Sequence, residues 1–147
     1  MKLLIALWAF AIGLMVPLQG VINAKLGKEV GGPTQSSLIS FSGGFLIFVI
    51  IGLFNYQNLP SFSKVISLPP YLLSGGVIGS IFVLSAIVVI PQIGATGFTA
   101  LIVAGQLIST IIFDHYGIMG LQVKPINTLR IVGVILLFSG VILVNRN

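Results

Sequence analysis

Few side chains in this sequence are able to do chemistry, and most of them sit inside long apolar runs. Gln106 falls near the middle of one such run, and Gln19 and Asn23 fall toward the end of another. An amide both donates and accepts, so it orients a neutral or zwitterionic solute without using a fixed charge. In lipid, such a group must find a partner or line a cavity. At 100° per residue, Trp8, Met15 and Gln19 share a helix face within about 40°, with Asn23 a little further round. Thr99, Gln106, Thr110 and Phe113 fall within about 60°, with Ser109 nearby. Two readings stay open for these faces: they line a substrate path, or they hydrogen-bond between helices as glue. The depth of Gln106 favours lining, and for Gln19 the two readings weigh equally. Asn23 also suits capping or a loop contact, and Trp8 an interfacial anchor. The hydroxyls have the further choice of bonding their own backbone. The expected lining is Gln19, Gln106, Trp8, Asn23, Ser40, Thr99 and Thr110.

Asp114 and His115 invite a catalytic reading. An intramembrane enzyme would need a second acid or an activated nucleophile on the same side, and none is present. One His and two acids are also too few for a metal site. The chain has no Cys, which excludes disulfides and thiol chemistry. No catalytic residue, metal or cofactor is therefore expected. Arg130 lies about two residues into an expected helix, where the positive end of the dipole disfavours a cation. Asp114, on the same side at the adjoining helix end, is its expected salt-bridge partner, because partly buried charges tend to be paired. The rival role for Asp114 is carrying a coupling proton. His115 is either a solvated loop residue or a pH-sensitive one. Pro17 removes a backbone hydrogen bond and crowds the carbonyl of Gly13, so this pair marks a kink or hinge close to Gln19.

The elements that must position these residues follow from composition. Of 147 residues, 56% are hydrophobic and only 6% are charged. A soluble domain is typically about 25% charged, so a soluble enzyme and a disordered chain are both excluded. Five stretches approach the roughly 20 apolar residues that a membrane span requires. They are about 3–24, 36–54, 71–91, 97–114 and 128–144. The expected fold is an all-α membrane protein, one five-helix transmembrane domain over residues 1–147. Gly31-Gly32-Pro33, the Pro-containing segment 55–70, Pro91 with Gly94 and Gly97, and the polar segment 114–127 separate the spans. Asn127 offers an N-cap to the fifth. Lys2 followed by Leu3–Leu14 also resembles a secretory signal. Against cleavage, the apolar run continues past Pro17, and Ile22 fits poorly before Ala24. Small residues at Ser36, Ser40 and Gly44, at Gly75 and Gly79, and at Gly133 and Gly140 let helix backbones approach closely.

The net charge is +5, but the basic residues are scattered and form no patch, so no nucleic-acid partner is expected. With five spans, Lys2, Lys64, Lys124 and Arg130 share one side, and Lys25, Lys28 and Arg146 share the other. Four against three is almost no positive-inside bias. Either Lys25 and Lys28 decide a single orientation, or copies insert both ways and pair antiparallel. The second reading is favoured, because two inverted copies make the repeat architecture of many secondary transporters.

The stretch Pro17–Leu26 (PLQGVINAKL), then Gly32-Pro33, then Ser40–Gly44 (SFSGG), resembles the first half of the YdcZ-type family. Val103–Leu107 (VAGQL), Asp114–Gly117 (DHYG) and Arg130–Val134 (RIVGV) continue the likeness over nearly the whole chain. This family is a five-helix branch of the drug/metabolite transporter superfamily. The resemblance implies an inner-membrane transporter, an exporter of small molecules, in which two five-helix units assemble as inverted halves. Its small-multidrug-resistance relatives carry an acid within the first helix, and this chain has none there. The combined expectation is a secondary transporter working as a dual-topology antiparallel homodimer, half of a ten-helix inverted repeat with an alternating-access cavity. Its expected partners are a small-molecule substrate, the bilayer and a second copy. The alternative is a non-transporting membrane scaffold or assembly subunit. No Walker loop or charged ring supports a motor or a channel.

Overall fold

The computed structural model describes residues 1–146. Its long elements are helices: α1 (Lys2–Glu29), α2 (Pro33–Phe54), the short α3 (Phe62–Ile66), α4 (Gly75–Tyr116) and α5 (Thr128–Val144). The chain packs as two compact units, one of Met1–Pro91 and one from Gln92 onward.

In the first unit α1 has 28 residues, a length of about 42 Å at 1.5 Å per residue. It runs past the expected end at residue 24, so Lys25 and Lys28 ride on its last turns rather than in a loop. The helix outlasts its apolar run because Lys and Glu are good helix formers with stems long enough to reach water. Only Val30, Gly31 and Gly32 then link α1 to α2. Pro33 opens α2 at its first turn, where the missing N–H costs nothing. The two helices pack against each other along their small residues. On another side of α1, a methyl group placed on Gly20 would lie 2.7 Å from Ile90 Cδ1 of α4, so this glycine admits a close approach of α4.

The segment after α2 is not irregular throughout. It contains a 3₁₀ turn at Tyr56–Asn58, α3 capped by Ser61, whose Oγ accepts from Lys64 N at 3.4 Å, and a second 3₁₀ turn at Pro70–Leu73.

The third and fourth spans separate inside the expected connection, three residues past the helix end expected at Pro91. Helical residues continue past Pro91, and the non-helical residue inside α4 is Gly94 (φ 78°, ψ 160°). A proline deletes one helix hydrogen bond but keeps a helical φ, whereas this positive φ is open chiefly to glycine. Unbroken, the 42 residues of α4 would reach about 63 Å, twice a hydrocarbon core of about 30 Å. The arms on either side of Gly94 are each long enough to span once.

In the second unit, α4 ends at Tyr116, two residues beyond the expected boundary. Gly117 follows in the left-handed conformation, which is the usual helix stop. A 3₁₀ turn at Ile118–Gly120 and an extended run lead to Asn127, whose Oδ1 accepts from Arg130 N at 2.9 Å and caps α5. The 17 residues of α5 occupy the expected span 128–144.

Candidate functional site

The expected lining residues divide between the two units. In the first, Gln19 lies on α1 at the edge of a groove of about 320 Å³ whose other walls are Ser40, Phe41, Gly44, Phe45 and Phe48 of α2. Phe41, Phe45 and Phe48 recur at four and three residues, so they form one face of α2. The Gln19 amide has no hydrogen-bond partner among the described residues and is exposed. A neutral amide facing aromatic walls suits a solute that carries its own donor and acceptor.

Asn23 does different work. It is buried, its Nδ2 donates to Ser40 Oγ at 3.2 Å, and its carbonyl accepts from Ser36 Oγ at 2.7 Å. It is neither a cap nor a loop contact. It ties α1 to α2, and Ser40, which accepts that bond, also faces the groove. Ser36 is fully buried. Ser37 Oγ, one residue on, is buried without a partner among the described residues. Trp8 lies about three turns before Gln19 and is 73% exposed. α1 is continuous through Pro17, so at Gly13 and Pro17 the helix is intact.

In the second unit, Gln106 is exposed on α4, and its side chain has no partner among the described residues. Thr110 bonds its own helix: its Oγ1 donates to the carbonyls of Gln106 and Leu107 at 2.9 and 3.1 Å. Ser109 does the same to Gly105 at 3.0 Å. Thr99 is half-buried, near the start of the arm that follows Gly94.

The charged residues gather at the other end of that arm. Arg130 Nη2 lies 3.2 Å from Asp114 Oδ2, with the two side chains 27% and 34% exposed. Arg130 Nη1 donates to the Lys124 carbonyl at 3.1 Å, and Lys124 N donates to the Asp114 carbonyl at 2.8 Å. His115 Nδ1 accepts from Ile126 N at 3.1 Å. Asp114, His115 and Arg130 thus pin the loop between α4 and α5 from both ends. A pair engaged in this way neutralises the cation at the start of α5, and it holds no third acid or His for a metal. Among the described residues no group of three or more metal-ligating side chains occurs.

The groove with Phe41, Phe45 and Phe48 escaped sequence reading. An aromatic in an apolar helix carries no mark that separates a cavity wall from a lipid-facing residue. The recurrence at positions 41, 45 and 48 beside the small residues Ser40 and Gly44 is the pattern that was there to be read.

A family profile described as "Putative inner membrane exporter, YdcZ" matches residues 4–143. The chain belongs to this family. No curated protein and no solved structure matches it. Membership agrees with an all-helical fold in which three helical stretches, Lys2–Glu29, Pro33–Phe54 and Pro70–Tyr116, are long and apolar enough to cross a membrane. α5 is a shorter apolar helix. The protein is an integral, multi-pass protein of the inner membrane, in a family of membrane transporters, and its setting is lipid.

Proposed function

We propose that the chain is a secondary transporter that exports small molecules, working as an antiparallel homodimer of copies inserted in both orientations. Residues 1–147 form one five-helix domain, half of a ten-helix inverted repeat. Family membership supports transport, and the near-even division of seven basic residues between the two sides supports dual insertion.

The observation that carries the reading is the amide of Gln19. It lines a groove walled by three phenylalanines and has no partner among the described residues. An unpaired amide in lipid costs free energy until something bonds it. Gln106, in the second unit, is likewise exposed with no side-chain partner among the described residues. A neutral or zwitterionic solute supplies the missing bonds, with Ser40 beside Gln19, Thr110 one turn and Thr99 two turns from Gln106, and Trp8 and Asn23 further along α1. Asn23 contributes by holding Ser40 in place. Gly13 and Pro17 provide the weak point at which α1 bends during alternating access. The Asp114–Arg130 pair positions the α4–α5 loop and carries no coupling proton.

The test uses the purified full chain in liposomes. Gln19→Ala and Gln106→Ala should each weaken substrate binding by about 1–3 kcal/mol, the cost of leaving a buried hydrogen-bonding group of the substrate unsatisfied, with melting temperatures close to the parent. Single cysteines at Gly31 and at Ser63 should each be labelled from both membrane faces. Normal transport by both Gln variants combined with a dissociated dimer would make the amides glue between copies. Labelling of each cysteine from one face only would sink dual insertion.

A further inference from the structure

Two grooves in the second unit share Arg130, and of the residues assigned to transport only Thr110, Asp114 and Arg130 touch them. One groove, about 340 Å³, runs between α4 and α5 along Leu107, Thr110 and Ile111 on one side and Gly133 and Leu137 on the other, with Asp114 and Arg130 at its end. The other, about 240 Å³, is walled by isoleucines and valine with Arg130 as its only charged residue. Positions 107, 111 and 114 and positions 130, 133 and 137 recur at three and four residues. Each groove therefore follows the helix axes for about 10 Å, two turns, with apolar walls and a charged end.

The charged end has donors to spare. Asp114 meets Arg130, and the backbone of Lys124 is held between them at 2.8 and 3.1 Å. His115 accepts from Ile126 N through Nδ1, and Tyr116 lies beside it. Arg130 uses two of its five N–H donors on protein acceptors among the described residues. Its position in the first turn of α5 places the helix's positive end at the same spot. A single negative charge joined to a hydrocarbon chain complements this arrangement: the charge meets Arg130 and the chain fills the strip toward Leu107 and Leu137.

We propose that this corner of the second unit is a binding site for an anionic phospholipid of the bilayer, its phosphodiester on Arg130 and an acyl chain in the groove past Gly133. Basic pockets between membrane helices hold lipid headgroups by this chemistry. The site is separate from the Gln19 groove and stands whether or not the protein transports.

Gly133 makes the site testable. A Cβ built there meets nothing within 4 Å, so Gly133→Leu fills the groove and spares the ion pair. The full chain is delipidated in detergent. Dioleoyl phosphatidylglycerol, dioleoylglycerol or soluble glycerol phosphate is then added, and retained lipid and melting temperature are measured. Phosphatidylglycerol should be retained at least tenfold better than dioleoylglycerol and should raise the melting temperature. Glycerol phosphate, a headgroup without chains, should do neither. Gly133→Leu should melt like the parent when delipidated but lose the retention and the shift. Arg130→Gln should abolish the preference for phosphatidylglycerol over dioleoylglycerol. Equal retention of the two lipids would overturn the proposal, as would undiminished retention by Gly133→Leu. So would disulfide formation between two copies of Gly133→Cys in the bilayer, which would mean that a second chain covers the groove.

Discussion

The two units solve one problem in opposite ways. Each must hold helices together in a solvent that offers no hydrophobic drive between them. The first uses neutral groups in its interior: Ser36 Oγ to the Asn23 carbonyl and Asn23 Nδ2 to Ser40 Oγ, at 2.7 and 3.2 Å, across a turn of three residues. The second uses charge at its edge: Arg130 to Asp114, with Lys124 and His115 pinning an eleven-residue connection, Gly117–Asn127. The difference follows from the dielectric. A buried hydroxyl or amide is satisfied by one or two partners, whereas a charge costs several kcal/mol to desolvate and is kept where water still reaches it.

The largest effect should come from the first unit's interior. Ser36 is 0% exposed and its hydroxyl is engaged. Ser36→Leu removes a buried hydrogen bond and overpacks the helix contact, so it should cost about 2–4 kcal/mol. Ser42→Leu, an exposed position on the same helix, should cost nearly nothing. Thermal unfolding in detergent compares them. Equal losses at both positions would mean that hydrophobic length, rather than interior polar contact, decides stability in this unit.

A middle-sized effect belongs to the edge. Asp114→Asn leaves Arg130 without a counter-charge at a site that water partly reaches, so the loss should be about 1 kcal/mol rather than the several expected for full burial. It should fade as salt approaches about 1 M, where the screening length falls to about 3 Å. The loss in Ser36→Leu should not change with salt. Combining Asp114→Asn with Arg130→Gln should cost less than the two singles added, because the second change removes the charge stranded by the first. Strict additivity, or a salt-dependent loss at Ser36, would erase the contrast between interior and edge.

How much of this was legible in the sequence differs between the units. At the edge, reasoning from one residue at a time suffices. Asn127 is a capping type immediately before an apolar run, and α5 occupies the span so expected. Arg130 at a helix start needs an anion, and Asp114 is the acid at the adjoining helix end. In the interior the pairing of residue 23 with residues 36 and 40 depends on how α1 and α2 dock. That geometry hangs on where α1 stops, and hydropathy reads the end of the apolar run rather than the end of the helix. The break in α4 falls inside the expected connection of Pro91, Gly94 and Gly97; Pro91 is the stronger punctuation mark in the sequence, yet the residue with positive φ is Gly94, and only the backbone distinguishes them.

The smallest effect tests whether a polar side chain inside a span always counts as glue. Thr110 is a threonine in an apolar helix, as Ser36 is a serine in one. Its hydroxyl, however, donates to carbonyls three and four residues back on its own helix. Those carbonyls take part in the helix ladder in any case, and the hydroxyl leaves no other group dependent on it. Thr110→Val keeps the branched shape and strands no donor or acceptor elsewhere. The change in stability should stay within about 0.5 kcal/mol of zero, the range of substitutions that break no buried network. Because the fold is expected to be indifferent, a fall in transport by this variant with undiminished phosphatidylglycerol retention reads the surroundings of Gln106, since Thr110 also lines the lipid groove. A loss of stability comparable to that of Ser36→Leu would show that the second unit also depends on a neutral polar contact inside its span, and the division between a neutral interior and a charged edge would fail.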